Sequence, residues 1–415
     1  MYQMNEISSA DRGPILAQSV DEIRAQFPGL ADGTVALDGA AGTLAPRAVI
    51  DAVADAMRFA MANVHGEFAG SVRSTEAVAA ARSAIADLVG GSPDGVILGP
   101  NMTTLTFHLA DALSADWRPG DEVIVTSLDH DANVRPWVLA AQRTGATVRW
   151  AEFDTETGEL APESFDDLLS DRTRLVAVTA ASNAIGTKPD VGAISDRAHA
   201  AGALTYIDGV HATSHGPTEV ATLGADFYAC STYKLFGPHT GAVIASPALL
   251  ERLHPAKLTP APNTVPERFE RGTPPFELLA GVSAMIDWLA GLTAASGSRR
   301  QRVLATLSAI ENHLDALLVQ ALEGLAGIRG VRVLGAAKRR TSTISFLIDR
   351  QSPKDVARQL AGRNICVWNG NNYAYELMHR YGLGDSGGAI RASIVLYNNR
   401  NDIDRLLEAT ASIAR

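Results

Sequence analysis

The chain has 415 residues, 46% hydrophobic and 20% charged, the balance of a globular protein with an ample core. Its 36 basic against 46 acidic residues give a net charge of −10 without a Lys/Arg cluster, which argues against nucleic acid or an anionic membrane as the main partner. Two cysteines, Cys230 and Cys366, are too few for a disulfide framework, and no C-x-x-C pair exists for zinc or redox work. The N-terminus is polar and lacks the apolar core of a signal peptide, and no apolar run approaches a membrane span. The expectation is a cytoplasmic α/β enzyme in a reducing compartment.

In chain order, an amphipathic helix is predicted over 74–89 and a strand over 95–99. A strand at 121–126, a helix at 132–144 and a strand at 146–150 follow, then strands at 175–179, 204–207, 226–230 and 241–244. Near-continuous apolar strands separated by helical stretches indicate a sheet buried on both faces. Around 274–298 the pattern changes to long helices, and 299–324 forms one extended amphipathic helix. Strands at 331–334, 343–348, 365–367 and 390–393, with helices at 353–362 and 402–413, make a smaller α+β unit resting on the large one.

The strand at 204–207 ends in Asp208, and the strand at 226–230 runs into Ser231-Thr232-Tyr233-Lys234-Leu235-Phe236-Gly237-Pro238. A carboxylate at one strand end and a lysine just past the next lie where open α/β sheets bind ligands. A lysine that forms a Schiff base with a carbonyl cofactor, and an acid that keeps a pyridine nitrogen protonated, are the two fixed needs of pyridoxal phosphate (PLP) chemistry. Either residue alone would be an ordinary cap or loop lysine; the combination with Ser231 and the Gly-Pro turn favours the cofactor. The strand at 95–99 leads into Gly99-Pro100-Asn101-Met102-Thr103-Thr104, with a helix starting near Thr103. Hydroxyls at a helix N-terminus suit a phosphate, with simple capping by Thr103 equally consistent.

Asp129-His130-Asp131 follows another strand, but three consecutive residues cannot converge on one metal ion. His211 and His215 have the spacing of a zinc pair on a helix, yet Gly216 and Pro217 follow and no third ligand is evident. The segment 208–211 fits a loop beside the cofactor better. Residues 382–387 match G-x-G-x-x-G but precede a strand, so the dinucleotide context fails and a turn is expected.

From about Phe27 to the C-terminus the sequence resembles fold-type I PLP enzymes of the class V aminotransferase group, in their cysteine-desulfurase-like branch. The resemblance is carried by Asp208-Gly209-Val210-His211, by the segment 231–238, by Glu270-Arg271-Gly272-Thr273-Pro274 and by Arg391-Ala392-Ser393. It implies a large domain at 36–295 with a mostly parallel seven-stranded sheet, a small C-terminal α+β domain at 296–415, and an N-terminal segment at 1–35 packing with the small domain. It implies that Lys234 bonds the cofactor, Asp208 partners the pyridine nitrogen, His130 stacks on the ring and His211 lies near its phenolic oxygen. Thr103, Thr104, Ser231 and Tyr233 match a phosphate cup, and Thr273 a threonine reaching the phosphate of a second subunit, so a homodimer with shared sites is implied. Asn183 and Arg391 match the groups that hold a substrate's α-carboxylate.

One departure stands out. Desulfurases that relay sulfur carry a nucleophilic cysteine on a loop of the small domain, and the corresponding stretch here, 367–374, puts Tyr373 in its place. A phenol, with a pKa near 10, cannot accept sulfur as a persulfide. Cys366 and Cys230 are expected to be buried, inert thiols. The order of expected activities on an L-amino acid is therefore C–S β-lyase first, acting on cysteine or a cysteine S-conjugate. Cα epimerase, aminotransferase or decarboxylating deaminase follow. A PLP-binding regulator without turnover is disfavoured, because it needs no carboxylate clamp together with a stacking histidine. Tyr373 and its loop, 368–375, are expected to shape the substrate pocket.

Overall fold

The computed structural model describes residues 14–59 and 62–415, so the polar start of the sequence lies outside the described residues. A short strand β1 (Val35–Ala36) precedes the main sheet. That sheet contains β2 (Val96–Gly99), β3 (Glu122–Thr126), β4 (Thr147–Ala151), β5 (Thr173–Thr179), β6 (Leu204–Asp208), β7 (Phe227–Ser231) and β8 (Gly241–Ala245). Its strand order is β2-β8-β7-β6-β5-β3-β4, with β8 antiparallel to both of its neighbours and the remaining pairs parallel. All seven predicted strands are present, each within two residues of its expected limits.

Strands β3, β7 and β8 are buried along their whole length, which is why their sequences show no polar alternation. Alternate side chains enter different cores. Ile124, Val176, Ile207 and Tyr228 join one, and Val123, Leu175, Tyr206 and Phe227 the other. The second core is closed by helices Met102–Leu113 and Arg135–Thr144, through Leu105, Leu109, Trp137 and Ala141. The first is closed by Phe276–Ala290 and by Arg299–Ala326, which opens on a capping box between Ser298 and Gln301. Only one helix, Phe276–Ala290, occupies 274–298, because Gly291 and the turn after it end the periodic pattern.

The C-terminal region carries β9 (Val331–Leu334), β10 (Thr343–Ile348), β11 (Ile365–Cys366), β12 (Trp368–Gly370) and β13 (Ala389–Ser393). An antiparallel sheet of order β12-β13-β10-β9 forms the smaller layer. Residues 365–367, expected as a strand of the smaller unit, form β11 at 365–366, which pairs in parallel with β1 and not within this sheet. The unpredicted β12 takes the edge beside β13. Among the described residues no helix is long and apolar enough to cross a membrane.

The described part of the N-terminal segment joins distant elements. The Phe27 ring packs edge-on against Phe236, Trp288 and Tyr397 at 5.8, 5.6 and 5.1 Å. Arg24 donates to Asp402 at 2.7 Å. Thr43 holds the loop after β7, with its N–H donating to the Tyr233 carbonyl at 2.8 Å and its hydroxyl accepting from the Phe236 N–H at 2.6 Å. That clasp sustains Phe236 at φ +66°, a left-handed conformation rare for a bulky residue. Phe27→Ala is expected to cost about 3–5 kcal/mol, measured by denaturant unfolding, because the cavity opens where four segments meet.

Candidate functional site

Strands β2, β3, β5, β6 and β7 finish on one edge of the main sheet, at Gly99, Thr126, Thr179, Asp208 and Ser231. The loops leaving that edge line a cleft open to solvent. This is where open α/β sheets hold ligands. Thr103, His130, Asn183, Asp208, His211, Ser231, Tyr233 and Lys234 all line it; Thr104, Thr273, Tyr373 and Arg391 do not.

Lys234 closes a single 3-10 turn, Thr232–Lys234, directly after β7. Burial, then the nearby Arg391 charge, lower its pKa to about 8, against the pull of Asp208. Asp208 ends β6 and accepts from the Val210 N–H at 2.9 Å; burial raises its pKa to about 6. Beside Lys234, the Tyr233 ring stacks on His239 at 4.8 Å, with the planes 8° apart.

Asn101 caps the helix Met102–Leu113, rather than Thr103, by accepting from the Thr104 N–H at 2.9 Å. Thr103 lines the cleft, while Thr104 does not and gives its N–H to the cap. The Met102 N–H donates to Ser231 Oγ at 3.2 Å, tying the helix start to the lysine loop. Gly241 makes this approach feasible, since a Cβ there would sit 2.4 Å from the Asn101 carbonyl carbon.

His130 Nδ1 accepts from the Ala132 N–H at 3.0 Å, which leaves the ring proton on Nε2. Burial, then Lys234 and Arg391, lower its pKa to about 3, so the imidazole is neutral. His211 is also held below its ordinary value, by burial and then by His215. Its Nε2 meets the hydroxyls of Thr343 at 2.9 Å and Thr341 at 3.1 Å, which join it to the smaller sheet.

Arg391 lies in the middle of β13, buried, with Nη1 donating to the Asn183 carbonyl at 3.1 Å. Burial lowers its pKa to about 10. Asn183 Nδ2 donates to the Asn372 carbonyl at 2.8 Å. Two buried polar atoms here have no protein partner, Asn183 Oδ1 and Arg391 Nε. A buried donor and a buried acceptor without protein partners, on two residues joined by a hydrogen bond, are what a ligand carrying both kinds of group would satisfy.

Tyr373 is 71% exposed, and its ring stacks on His130 at 5.4 Å with the planes 21° apart. Asn372 and Tyr373 both have positive φ, +52° and +56°. The turn is held from both sides of the cleft, by Asn183 and by the Asp131 N–H donating to the Tyr373 carbonyl at 2.7 Å. Thr273 is exposed on a loop outside the cleft. That loop is anchored by Glu270, which accepts from Arg82 at 2.8 and 2.9 Å and from the Leu98 N–H at 2.7 Å.

Neither cysteine lines the cleft. Cys230 is buried on β7, where burial pushes its thiol up to about 12. Cys366 is only half-buried, contrary to expectation, because β11 lies at the seam with β1 and not inside the smaller sheet. Residues 382–387 form the expected turns before β13, and no metal-holding cluster occurs among the described residues. Sequence reasoning missed Thr43, which clasps the lysine loop from far upstream. It also missed Asp129, weighed only as a metal ligand although it follows a strand as Asp208 does.

A buried lysine of lowered basicity, a buried carboxylate on the neighbouring strand, hydroxyls at a helix start and the unpartnered Asn183 and Arg391 atoms suit PLP and an amino acid. Fold and donor set together define a PLP-dependent enzyme of fold-type I. The chain belongs to the class-V aminotransferase family, whose model matches residues 35–406. It is 34% identical to an uncharacterized protein of Mycobacterium tuberculosis, over 96% of this chain and 100% of that one. It is 32% identical to the cysteine desulfurase CsdA of Escherichia coli, over 94% of this chain and 96% of the other. The crystal structure of that CsdA, in an S-sulfonic acid form, superimposes with a TM-score of 0.83 over 95% of this chain and 98% of that one. The protein is a cysteine-desulfurase-like PLP enzyme.

Because the folded protein holds Lys234 near 8 and an unfolded lysine titrates near 10.5, the unfolded chain binds more protons between those values. Stability of the cofactor-free protein should therefore gain a rising component from pH 8 to 10.5 that Lys234→Met lacks. Thermal melts of the two proteins across that range, compared as a difference, provide the check.

Proposed function

We propose that the protein cleaves the Cβ–S bond of cysteine or a cysteine S-conjugate by β-elimination and releases the sulfur as a free thiol or sulfide. One observation carries the reading. The ring stacked on His130 at the cleft mouth is the phenol of Tyr373, and neither thiol faces the cleft. The resemblance to desulfurases puts a nucleophilic cysteine at that position.

Bound PLP supplies an electron sink for the charge left at Cα when its proton is removed. In this reading Asp208, ionised at neutral pH, keeps the pyridine nitrogen protonated, and Thr103, Ser231 and Tyr233 hold the phosphate. His211 sits near the phenolic oxygen. Arg391 clamps the α-carboxylate, its unpartnered Nε supplying a donor, and Asn183 orients the same end of the substrate. Lys234, with a pKa near 8, is suited to take the Cα proton at neutral pH. The Nε2–H of the neutral His130 would hydrogen-bond the sulfur as charge develops on it, and the departing thiolate would draw its proton from water. The substrate RS–CH2–CH(NH3+)–COO− plus water yields RSH, pyruvate and ammonium, so atoms and electrons balance without an oxidant.

Residues 36–295 serve as the cofactor domain and 296–415 as the small domain; of the segment 1–35, the described residues 14–35 lie against it. A homodimer accounts for Thr273, exposed outside its own cleft and held in place by Glu270. It also accounts for Ile50, Met57 and Phe59, left exposed on the helix Arg47–Phe59. Thr273→Val should weaken PLP retention by roughly 1–3 kcal/mol, the cost of an unsatisfied charge-assisted hydrogen bond. Cofactor titration checks this, and a monomer that retains the cofactor fully would contradict it.

Cys230→Ala combined with Cys366→Ala should keep most of the activity, whereas Arg391→Ala should cost about 2–5 kcal/mol in kcat/KM. Mass spectrometry after turnover with cysteine tests the sulfur's fate. Free sulfide and an unmodified chain are expected. One added sulfur on Cys366, removed by a thiol acceptor, would restore a persulfide relay and overturn the proposal.

A further inference from the structure

Asp129 is 1% exposed and no step above uses it. Its Oδ2 accepts from the Thr126 hydroxyl at the end of β3 and from the Thr179 N–H at the end of β5, the latter at 3.1 Å. Its Oδ1 accepts from Asn133 Nδ2 at 2.7 Å. The neighbours fix these directions. Thr126 Oγ1 itself accepts from the Leu128 N–H at 3.1 Å, so its own proton is left to face Asp129. Asn133 Oδ1 accepts from Trp137 Nε1 at 3.2 Å, so its amide presents nitrogen to the carboxylate. Burial raises the Asp129 pKa to about 8, against the pull of these bonds. Three donors from three segments thus converge on one side chain, a set that the ionised carboxylate satisfies and an amide cannot.

The groups so tied matter to the cleft. Thr179 is the register partner of Asp208, and the Ala180 N–H donates to the Asp208 carbonyl at 2.8 Å. The bond from Asn133 closes the turn that begins at His130, the next residue. Asp131 does not share this task, since its carboxylate turns outward to Arg135 at 3.0 Å.

We propose that Asp129 is a positioning residue whose carboxylate clamps the ends of β3 and β5 to the 131–133 turn and so fixes the plane of the His130 ring over the cofactor cleft. The inference rests on the reading of His130 as a wall of that cleft, and holds whichever amino-acid reaction runs there. In Asp129→Asn one amide N–H must face a donor, so the turn shifts and the ring leaves its plane.

The test is a double-mutant cycle on PLP-loaded protein, comparing wild type, Asp129→Asn, His130→Ala and the double variant. The readouts are the visible circular dichroism of the bound cofactor, which reports the ring stacked on it, and kcat/KM. Asp129→Asn should lose at least about half of the dichroic band and roughly 10–100-fold in rate, because misplacement of a reacting group by a fraction of an ångström has effects of that size. In the His130→Ala background the same substitution should change either readout by less than about 2-fold. Equal losses in both backgrounds, or a wild-type band in Asp129→Asn, would overturn the inference. Thr126→Val removes a single donor and covers the case in which Asp129→Asn fails to fold; it should repeat the pattern at roughly 3–10-fold, and additivity with His130→Ala would again overturn it. Wild-type protein that takes up no PLP would sink the cleft assignment and the inference with it. Loaded protein that releases no thiol sinks only the elimination reading.

Discussion

Taking ionisable groups out of water is the constraint on which the rest of this structure turns. Lys234, Asp208 and Asp129 are buried along one edge of the main sheet, His130 is half-buried beside them, and Arg391 is buried on β13 of the smaller sheet, in a setting that penalises every charge among them. Left uncompensated, such a cluster would unfold the edge. Compensation comes from groups placed by secondary structure: the Val210 N–H for Asp208, three donors for Asp129, the Asn183 carbonyl for Arg391 and the Ala132 N–H for His130. What remains uncompensated is chemically useful, namely an amine of lowered basicity and two polar atoms without partners.

The geometry that permits this is the coincidence of strand ends. Parallel strands deliver their last residues to one edge, so consecutive loops can each contribute one group. The antiparallel β8 starts at that edge with a glycine, which lets the helix Met102–Leu113 begin directly above it. The smaller sheet approaches from the other side and brings Arg391, with hydroxyls from Thr341 and Thr343 bonding His211 across the seam. Rigid hydrogen bonding across this seam places the lysine and the arginine in one frame.

Much of this was legible in the sequence because it is local. The seven strands show as apolar runs, and Asp208 and Lys234 show as polar residues just beyond two of them. Features that depend on distant partners were not legible. The partner of β11 was not legible, because its apolar pattern fits either sheet, and only the packing of β1 decides between them. Thr43 carries no local mark, since its role exists only once the loop after β7 lies against it. Thr103 and Asn101 compete for the same cap, and the residue with the extended backbone, Asn101 at φ −170°, takes it. Asp129 was passed over once the Asp-His-Asp run was rejected as a metal site, because nothing local shows that its donors come from the end of β5 and from the 131–133 turn.

The pairing of β1 with β11 also orders events in time. It joins segments about 330 residues apart, and Thr43, which clasps the lysine loop, lies just beyond β1. During synthesis the main sheet can emerge and collapse while its N-terminal strap still has nothing to pair with. Non-local parallel pairing is slow to form because the loop entropy must be met first. The strap that carries Thr43 can therefore settle only once the residues near 365 have been made, which puts the last adjustment of the lysine loop late in folding.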